Sequence, residues 1–260
     1  MRERIVTLSP KHQHAMRRAG RAAAETLAVA LAAVRPGVTT GAIDALVARD
    51  TKARGGRCAQ YHYRSGRLVF PAHVCTSVNE VVCHGVPGPR VLADGDIVNV
   101  DVTTELHGWH GDTSRTVAVG TPTPEAAHVI HVATQALELA IARVRPGIGL
   151  HELGAAIEEY ARTEGCSVVR DFGGHGIGRQ MHMPPHVPHH RSATPGPRLV
   201  AGMCFTVEPM VCLGAPDVRV LSDGWTVVTC DGRLSAQAEH TLLVTDDGVE
   251  VLTRATDAPE

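Results

Sequence analysis

Val34-Arg35-Pro36-Gly37-Val38 recurs later in the chain as Val144-Arg145-Pro146-Gly147-Ile148. In both copies an Ala- and Leu-rich helical pattern comes first, Met16 to Val34 and Pro124 to Val144, and a shorter one follows, at about residues 41–54 and 150–164. Proline cannot continue the first helix of each pair, and glycine accepts the turn after it. Strand-like sequence comes next: Ile97 to Val102 and Arg115 to Val119 in one half, Cys204 to Cys212, Trp225 to Cys230 and Ala236 to Thr245 in the other. The repeat predicts an α+β fold of two pseudo-twofold-related halves, about 10–120 and 121–253, within one domain spanning 1–260. A functional site belongs where the halves meet.

Acidic residues interrupt these strands. Asp101 stands in the otherwise apolar Ile97-Val98-Asn99-Val100-Asp101-Val102, where an isolated carboxylate is costly to bury unless paired or bound to a metal. Asp112 follows across Glu105-Leu106-His107-Gly108. A hairpin centred between Leu106 and His107 sets the two carboxylates opposite each other on one side, with Cβ atoms about 5 Å apart. Like charges that close raise a pKa or recruit a cation. The plainer alternative has Asp101 bonded to buried backbone and Asp112 serving the turn. Glu208 in Phe205-Thr206-Val207-Glu208-Pro209 and Glu239 in Ala236-Gln237-Ala238-Glu239-His240 repeat the pattern. Gly173-Gly174-His175-Gly176-Ile177-Gly178 frames a histidine with glycines, which clear space around the imidazole.

Composition narrows the partners. With 25 basic and 27 acidic residues the net charge is −2, so neither a dedicated nucleic-acid binder nor a protein held on an acidic membrane is expected. The apolar run Ala22 to Val34 is broken by Glu25 and is too short to span a bilayer, and the opening MRERIVTLSP lacks the apolar stretch of a secretory signal; a cytoplasmic protein is expected. Seven cysteines without a Cys-x-x-Cys pair suggest buried thiols rather than disulfides or structural zinc. Lys11 and Lys52 are the only lysines, an arginine bias that hints at a GC-rich bacterial genome.

Together the motifs are specific. Ser77 to Pro87 (SVNEVVCHGVP), Gly95 to Val102, His110-Gly111-Asp112-Thr113-Ser114, Gly174 to Gly178, Phe205 to Met210 and Leu234 to Thr241 follow the order and spacing of type I methionine aminopeptidases, which the chain resembles from about residue 10 to 253, in a bacterial short form without an N-terminal extension. The resemblance implies the pita-bread fold, helices packed on a curved antiparallel sheet. It also implies two divalent ions, Co²⁺, Mn²⁺, Fe²⁺ or Zn²⁺. One would be held by Asp112, His175, Glu208 and Glu239, the other by Asp101, Asp112 and Glu239. A water or hydroxide bridging them would attack the scissile carbonyl. By the same resemblance His84 contacts the scissile amide or bound amine, His182 stabilises the carbonyl oxygen, and Glu208 relays a proton. Phe70, Cys75, Met181 and Trp225 match pocket positions for the methionine side chain. The implied substrates are the N-termini of nascent polypeptides with a small second residue, met near the ribosome by a monomeric enzyme.

The segment Tyr61 to Val69 departs from the family, reading Arg67-Leu68-Val69 where relatives have Tyr-His-Gly. Met181 stands for a frequent phenylalanine and Met183-Pro184 for an acidic pair. Residues 183 to 198, rich in proline and histidine, are expected to form a surface loop carrying His186, His189 and His190 in solvent. An Xaa-Pro peptidase of the same fold and a catalytically dead relative that only binds protein or RNA are the competing readings; the full ligand set and both histidines argue for the enzyme, and the Glu-Pro-Met and SVNEVVCHGVP segments for methionine.

Overall fold

A computed structural model describes residues 5–254. Residues 1–4 of the opening stretch and residues 255–260 of the expected 1–260 domain lie outside the described residues.

Four helices form where the repeat predicts them: α1 (Pro10–Ala32), α2 (Thr40–Ala53), α3 (Pro124–Ile141) and α4 (Leu150–Thr163). α1 begins earlier than its apolar pattern because Pro10 occupies the first helical position, where its missing N–H costs nothing. Thr39 and Thr123 cap α2 and α3 through their side-chain oxygens.

The two halves share a set of matching backbone hydrogen bonds. Gly37 N–H donates to Leu92 O and Gly147 N–H to Leu199 O, both at 2.8 Å. Leu92 N–H returns to Val38 O, as Leu199 N–H does to Ile148 O. Gly95 N–H meets Val119 O and Gly202 N–H meets Val244 O, each at 2.9 Å. The duplicated sequence is therefore a duplicated structure.

All strand pairings are antiparallel. In the first half Ile97–Leu106 pairs with Cys75–Val78, Arg57–Cys58 and Trp109–Ala118. In the second half Met183–Val187, Gly174–Gly176, Cys204–Val207, His240–Val244 and Val249–Val251 lie side by side in that order. The predicted strand Cys204 to Cys212 breaks at Glu208-Pro209, and Met210–Cys212 joins Ser235–Gln237 in a separate sheet. Ala236 to Thr245 breaks likewise at Ala238-Glu239. Both breaks fall at an acid. Helices α3 and α4 pack on one large core around Phe205, Leu153 and Leu242, and α1 and α2 bound a second around Ile43, Val98 and Val100.

Two expectations are corrected. The hairpin turns at His107-Gly108, with Leu106 opposite Trp109, so Asp101 faces Ser114 and Asp112 faces Thr103. Asp101 and Asp112 stay on one side of the ribbon but are diagonal neighbours rather than directly opposed. The reason lies in the turn: His107 and Gly108 have φ of 53° and 79°, as a two-residue primed turn requires, and this leaves Glu105 in the strand opposite His110. The second correction concerns residues 183–198. Met183–Val187 is an edge strand, a position that tolerates prolines. Beyond it His189 is 1% exposed, whereas His186 is exposed.

The turn supplies a test of the fold. Gly108→Val places a β-branched residue at positive φ, costing roughly 1–2 kcal/mol. Melting should fall by about 2–8 °C at the 2–4 °C per kcal/mol typical of larger domains, whereas His107→Asn should leave it level or raise it.

Candidate active site

Five sequence-predicted residues converge from both halves on one cavity of about 660 Å³: Asp101, Asp112, His175, Glu208 and Glu239. Asp112 and Glu239 are 4% and 2% exposed, and Glu208 is buried beside them. Ligand atoms of Asp112, His175 and Glu239 lie within 4.8 Å of one another. The His175 Nε2 sits 3.8 Å from Asp112 Oδ2 and 3.6 Å from Glu208 Oε1.

The carboxylates of Asp112 and Glu208 are aimed by neighbours. Thr103 Oγ1 donates to Asp112 Oδ1 at 2.8 Å, and Thr206 Oγ1 to Glu208 Oε1 at 2.7 Å. Gln237 Nε2 reaches Glu208 Oε2 at 3.2 Å. Gln60 Nε2 donates to the Asp101 carbonyl at 2.7 Å. The bonds from Thr103, Thr206 and Gln237 orient two of the carboxylates without neutralising them, and the one from Gln60 holds the Asp101 backbone. Burial first, and then the neighbouring acid Asp112, hold Asp101 and Glu239 well above the usual carboxylate range. Glu208 rises for the same two reasons. Burial lifts Asp112 to about 7 against the hydrogen bond from Thr103.

His175 turns one ring nitrogen toward the acids. Its Nδ1–H donates to Gly176 O at 3.1 Å, which leaves the Nε2 lone pair facing Asp112 and Glu208. Burial, with His182 second, lowers its pKa to about 3, so the ring is neutral. The flanking glycines work as the sequence suggested: a Cβ on Gly174 would lie 2.2 Å from Thr206 O, and one on Gly176 2.1 Å from Pro184 O. Only bare backbone lets the neighbouring strands close around this histidine.

Among the described residues, no arginine or lysine lines the cavity. Four buried carboxylates therefore need protons or bound cations, and hard oxygens with one imidazole suit a divalent ion. The donor set fits a metal centre.

His84 and His182 also line the cavity. His84 has φ of 55°, lies 5.6 Å edge-on from Phe172, and is brought by burial, with His182 second, to a pKa of about 4. The His182 ring stands 4.3 Å from that of His175. Phe70, Cys75, Met181 and Trp225 form an apolar wall, with Phe70 and Trp225 edge-to-face at 5.3 Å.

Sequence reasoning missed two residues near the site. His189 Nε2 accepts the Glu208 backbone N–H at 3.1 Å, holding the strand break where that acid sits. Its surrounding prolines read as loop, and only the alternation of Val187 and His189, both buried, signals a continued strand pattern. Tyr63 Oη lies 2.7 Å from His182 Nδ1, a contact between distant segments with no local signature.

The profile of metallopeptidase family M24 matches residues 14–246. A methionine aminopeptidase A of Synechocystis is 47% identical, the alignment covering 97% of this chain and 99% of the relative. The methionine aminopeptidase of Escherichia coli is 46% identical, covering 94% and 92%. The crystal structure of methionine aminopeptidase from Rickettsia prowazekii superposes with a TM-score of 0.93 at 43% identity, over 96% of this chain and all of that one. A family profile over most of the chain, full-length relatives at this identity and a shared pita-bread architecture lead to one conclusion: the chain belongs to metallopeptidase family M24, among its bacterial methionine aminopeptidases.

Proposed function

We propose that the protein removes the initiator methionine from nascent polypeptides whose second residue is small. As a metallopeptidase of family M24 it uses divalent metal; the number and identity of the ions belong to the proposal. The observation that carries it is the cavity itself, where four carboxylates and a neutral imidazole meet beside an apolar wall, with no arginine or lysine among the described residues that line it. Asp112, His175, Glu208 and Glu239 would hold one ion, and Asp101, Asp112 and Glu239 a second, drawn from Co²⁺, Mn²⁺, Fe²⁺ and Zn²⁺. Bound there, the ions supply Lewis acidity toward the scissile carbonyl and lower the pKa of a water.

The chain's own groups do the rest. Phe70, Cys75, Met181 and Trp225 receive the methionine side chain, with the thioether of Met181 free to adapt to another thioether. His84, neutral at working pH, bonds the scissile amide or the bound amine. His182 donates to the carbonyl oxygen as negative charge develops on it. Glu208 takes a proton from the attacking water and passes it to the leaving amine. Because both halves furnish these groups, residues 1–260 act as one catalytic domain. We further propose that it works as a cytoplasmic monomer near the ribosome; no helix among the described residues is long and apolar enough to cross a membrane.

A panel of peptides assayed with Mn²⁺, Fe²⁺, Co²⁺ and Zn²⁺ in turn tests the reading. Met-Ala-Ser should be cleaved at least 10-fold faster than Met-Arg-Ser, since a pocket too small for a long side chain discriminates by roughly that factor or more. Equal turnover of the two, or indifference to the first residue, would refute it.

The histidines separate into ligand and substrate contact. His182→Ala should keep its metal while kcat falls on the order of 10²- to 10³-fold, the usual cost of a lost transition-state hydrogen bond. His175→Ala should lose affinity for one ion in calorimetric titration. Equal metal loss in both variants would overturn this division of roles.

Removing metal exposes the charge problem. Burial raises Asp112 from 3.8 to about 7, so between these values the folded metal-free protein binds more protons than the unfolded chain. Stability must then fall as pH rises through that window. The melting midpoint of chelated protein should drop from about pH 5 to about pH 8, and the gain on adding Mn²⁺ should grow over the same range. A chelated midpoint that climbed with pH would contradict the assignment of these acids as an uncompensated cluster.

A further inference from the structure

The segment that departs from the family, Tyr61 to Val69, is a small hairpin at the mouth of the cavity. Arg64 pairs with Val69 and Ser65 with Leu68 across a two-residue turn in which Gly66 has φ of 59°. Its base is closed by Phe70 N–H to Tyr63 O at 2.8 Å and Tyr63 N–H to Gln60 O at 2.9 Å. At its tip the Leu68 side chain packs on Gly224, where an added Cβ would lie 2.9 Å from Leu68 Cδ1. The hairpin of the first half thus rests on the second.

Tyr63 is the residue this scaffold presents to the site. Its ring lies edge-on to His182 at 5.1 Å and to Trp225 at 6.5 Å, and its Oη is 2.7 Å from His182 Nδ1. Burial raises the phenol pKa, so the group stays protonated and its O–H is available to His182 Nδ1. Among the described residues His182 Nδ1 is the partner of that hydroxyl, and none bonds His182 Nε2. A proton donated to Nδ1 obliges the neutral imidazole to carry its own proton on Nε2, the nitrogen left for the cavity. Only that tautomer offers a donor to a carbonyl oxygen.

We propose that Tyr63 is a positioning residue that, through its hydroxyl, fixes His182 as the Nε2–H tautomer and so makes it a hydrogen-bond donor toward substrate. The inference rests on the reading of His182 as the contact to the carbonyl oxygen. It assigns the divergent hairpin a catalytic purpose rather than a covering one, since a covering role needs the ring of Tyr63 and not its oxygen.

Tyr63→Phe keeps the ring and removes the hydroxyl. With Met-Ala-Ser peptide and Zn²⁺, kcat should fall on the order of 10-fold, the scale carried by the outer partners of functional histidines, while KM changes less than about twofold. Tyr63→Ala, which also opens the wall, should raise KM as well. In parallel, ¹⁵N-histidine spectra of the zinc-loaded protein, with His182 assigned by its loss in His182→Gln, should show Nδ1 unprotonated and Nε2 protonated. In Tyr63→Phe the same resonances should move toward a mixture of tautomers. A Tyr63→Phe kcat within twofold of an active wild type, or a wild-type His182 protonated on Nδ1, overturns the proposal. Wild type that cleaves no methionyl peptide refutes the proposed function instead, and the spectra then decide the role of Tyr63 alone.

Discussion

The structure depends on keeping four carboxylates, Asp101, Asp112, Glu208 and Glu239, together in a cavity whose described lining holds no arginine or lysine. Desolvation and mutual repulsion both work against their ionisation. A fold that only needed stability would replace such a cluster with apolar side chains. Here the surrounding groups orient the acids and leave their charge uncompensated: Thr103, Thr206 and Gln237 give neutral hydrogen bonds, and His175 offers a lone pair. Neutral partners keep the carboxylates available to cations, whereas an arginine would have satisfied them permanently.

Holding acids from two halves at fixed separation needs a rigid seam. The strand 109–118 of the first half runs beside the 235–244 segment of the second, joined along that line by an isolated backbone bridge at Arg115 and Ala238. Threonine hydroxyls do much of the remaining joining. Thr241 Oγ1 donates to Asp112 O and accepts from Asp112 N–H, and Thr116 Oγ1 does the same for Gln237. Thr113 Oγ1 donates to Glu239 O. A hydroxyl can be donor and acceptor at once, so each threonine stands in for a missing rung of the ladder. At about 1 kcal/mol apiece, these bonds also tie the backbones of two of the acids, Asp112 and Glu239, to the opposite half.

The elements that the sequence exposed are those whose physics is local. Helix stops at Pro36-Gly37 and Pro146-Gly147 are written in two adjacent residues, and an acid inside an apolar strand, as at Asp101, declares its cost by itself. The glycines around His175 were legible for the same reason. The hairpin register was not, because a shift of its centre by one residue hinges on whether Glu105 and Leu106 belong to the strand or the turn, and only the positive φ of His107 decides that. His189 was hidden because prolines are loop residues in most settings and edge-strand residues in this one. Tyr63 was hidden more deeply, since its partner His182 lies in the other half.

Duplication explains why the cavity's acids fall where they do, and also where the two halves differ. The hydrogen bonds that match Leu92 with Leu199 and Gly95 with Gly202 place Asp101 at the position of Glu208, each an acid on the strand that follows. Those that match Val119 with Val244 place Ser114 at the position of Glu239. In the first half Asp101 therefore faces a hydroxyl, whereas extending the pairing of Val207 with His240 brings Glu208 opposite a second carboxylate. The first half offsets this with Asp112, opposite Thr103 and two residues away from the symmetric position. A strictly twofold arrangement would present its acids as equivalent pairs. Displacing one acid along the ribbon and adding His175 on one side breaks that equivalence, so a carbonyl entering the cavity meets chemically different groups on its two flanks.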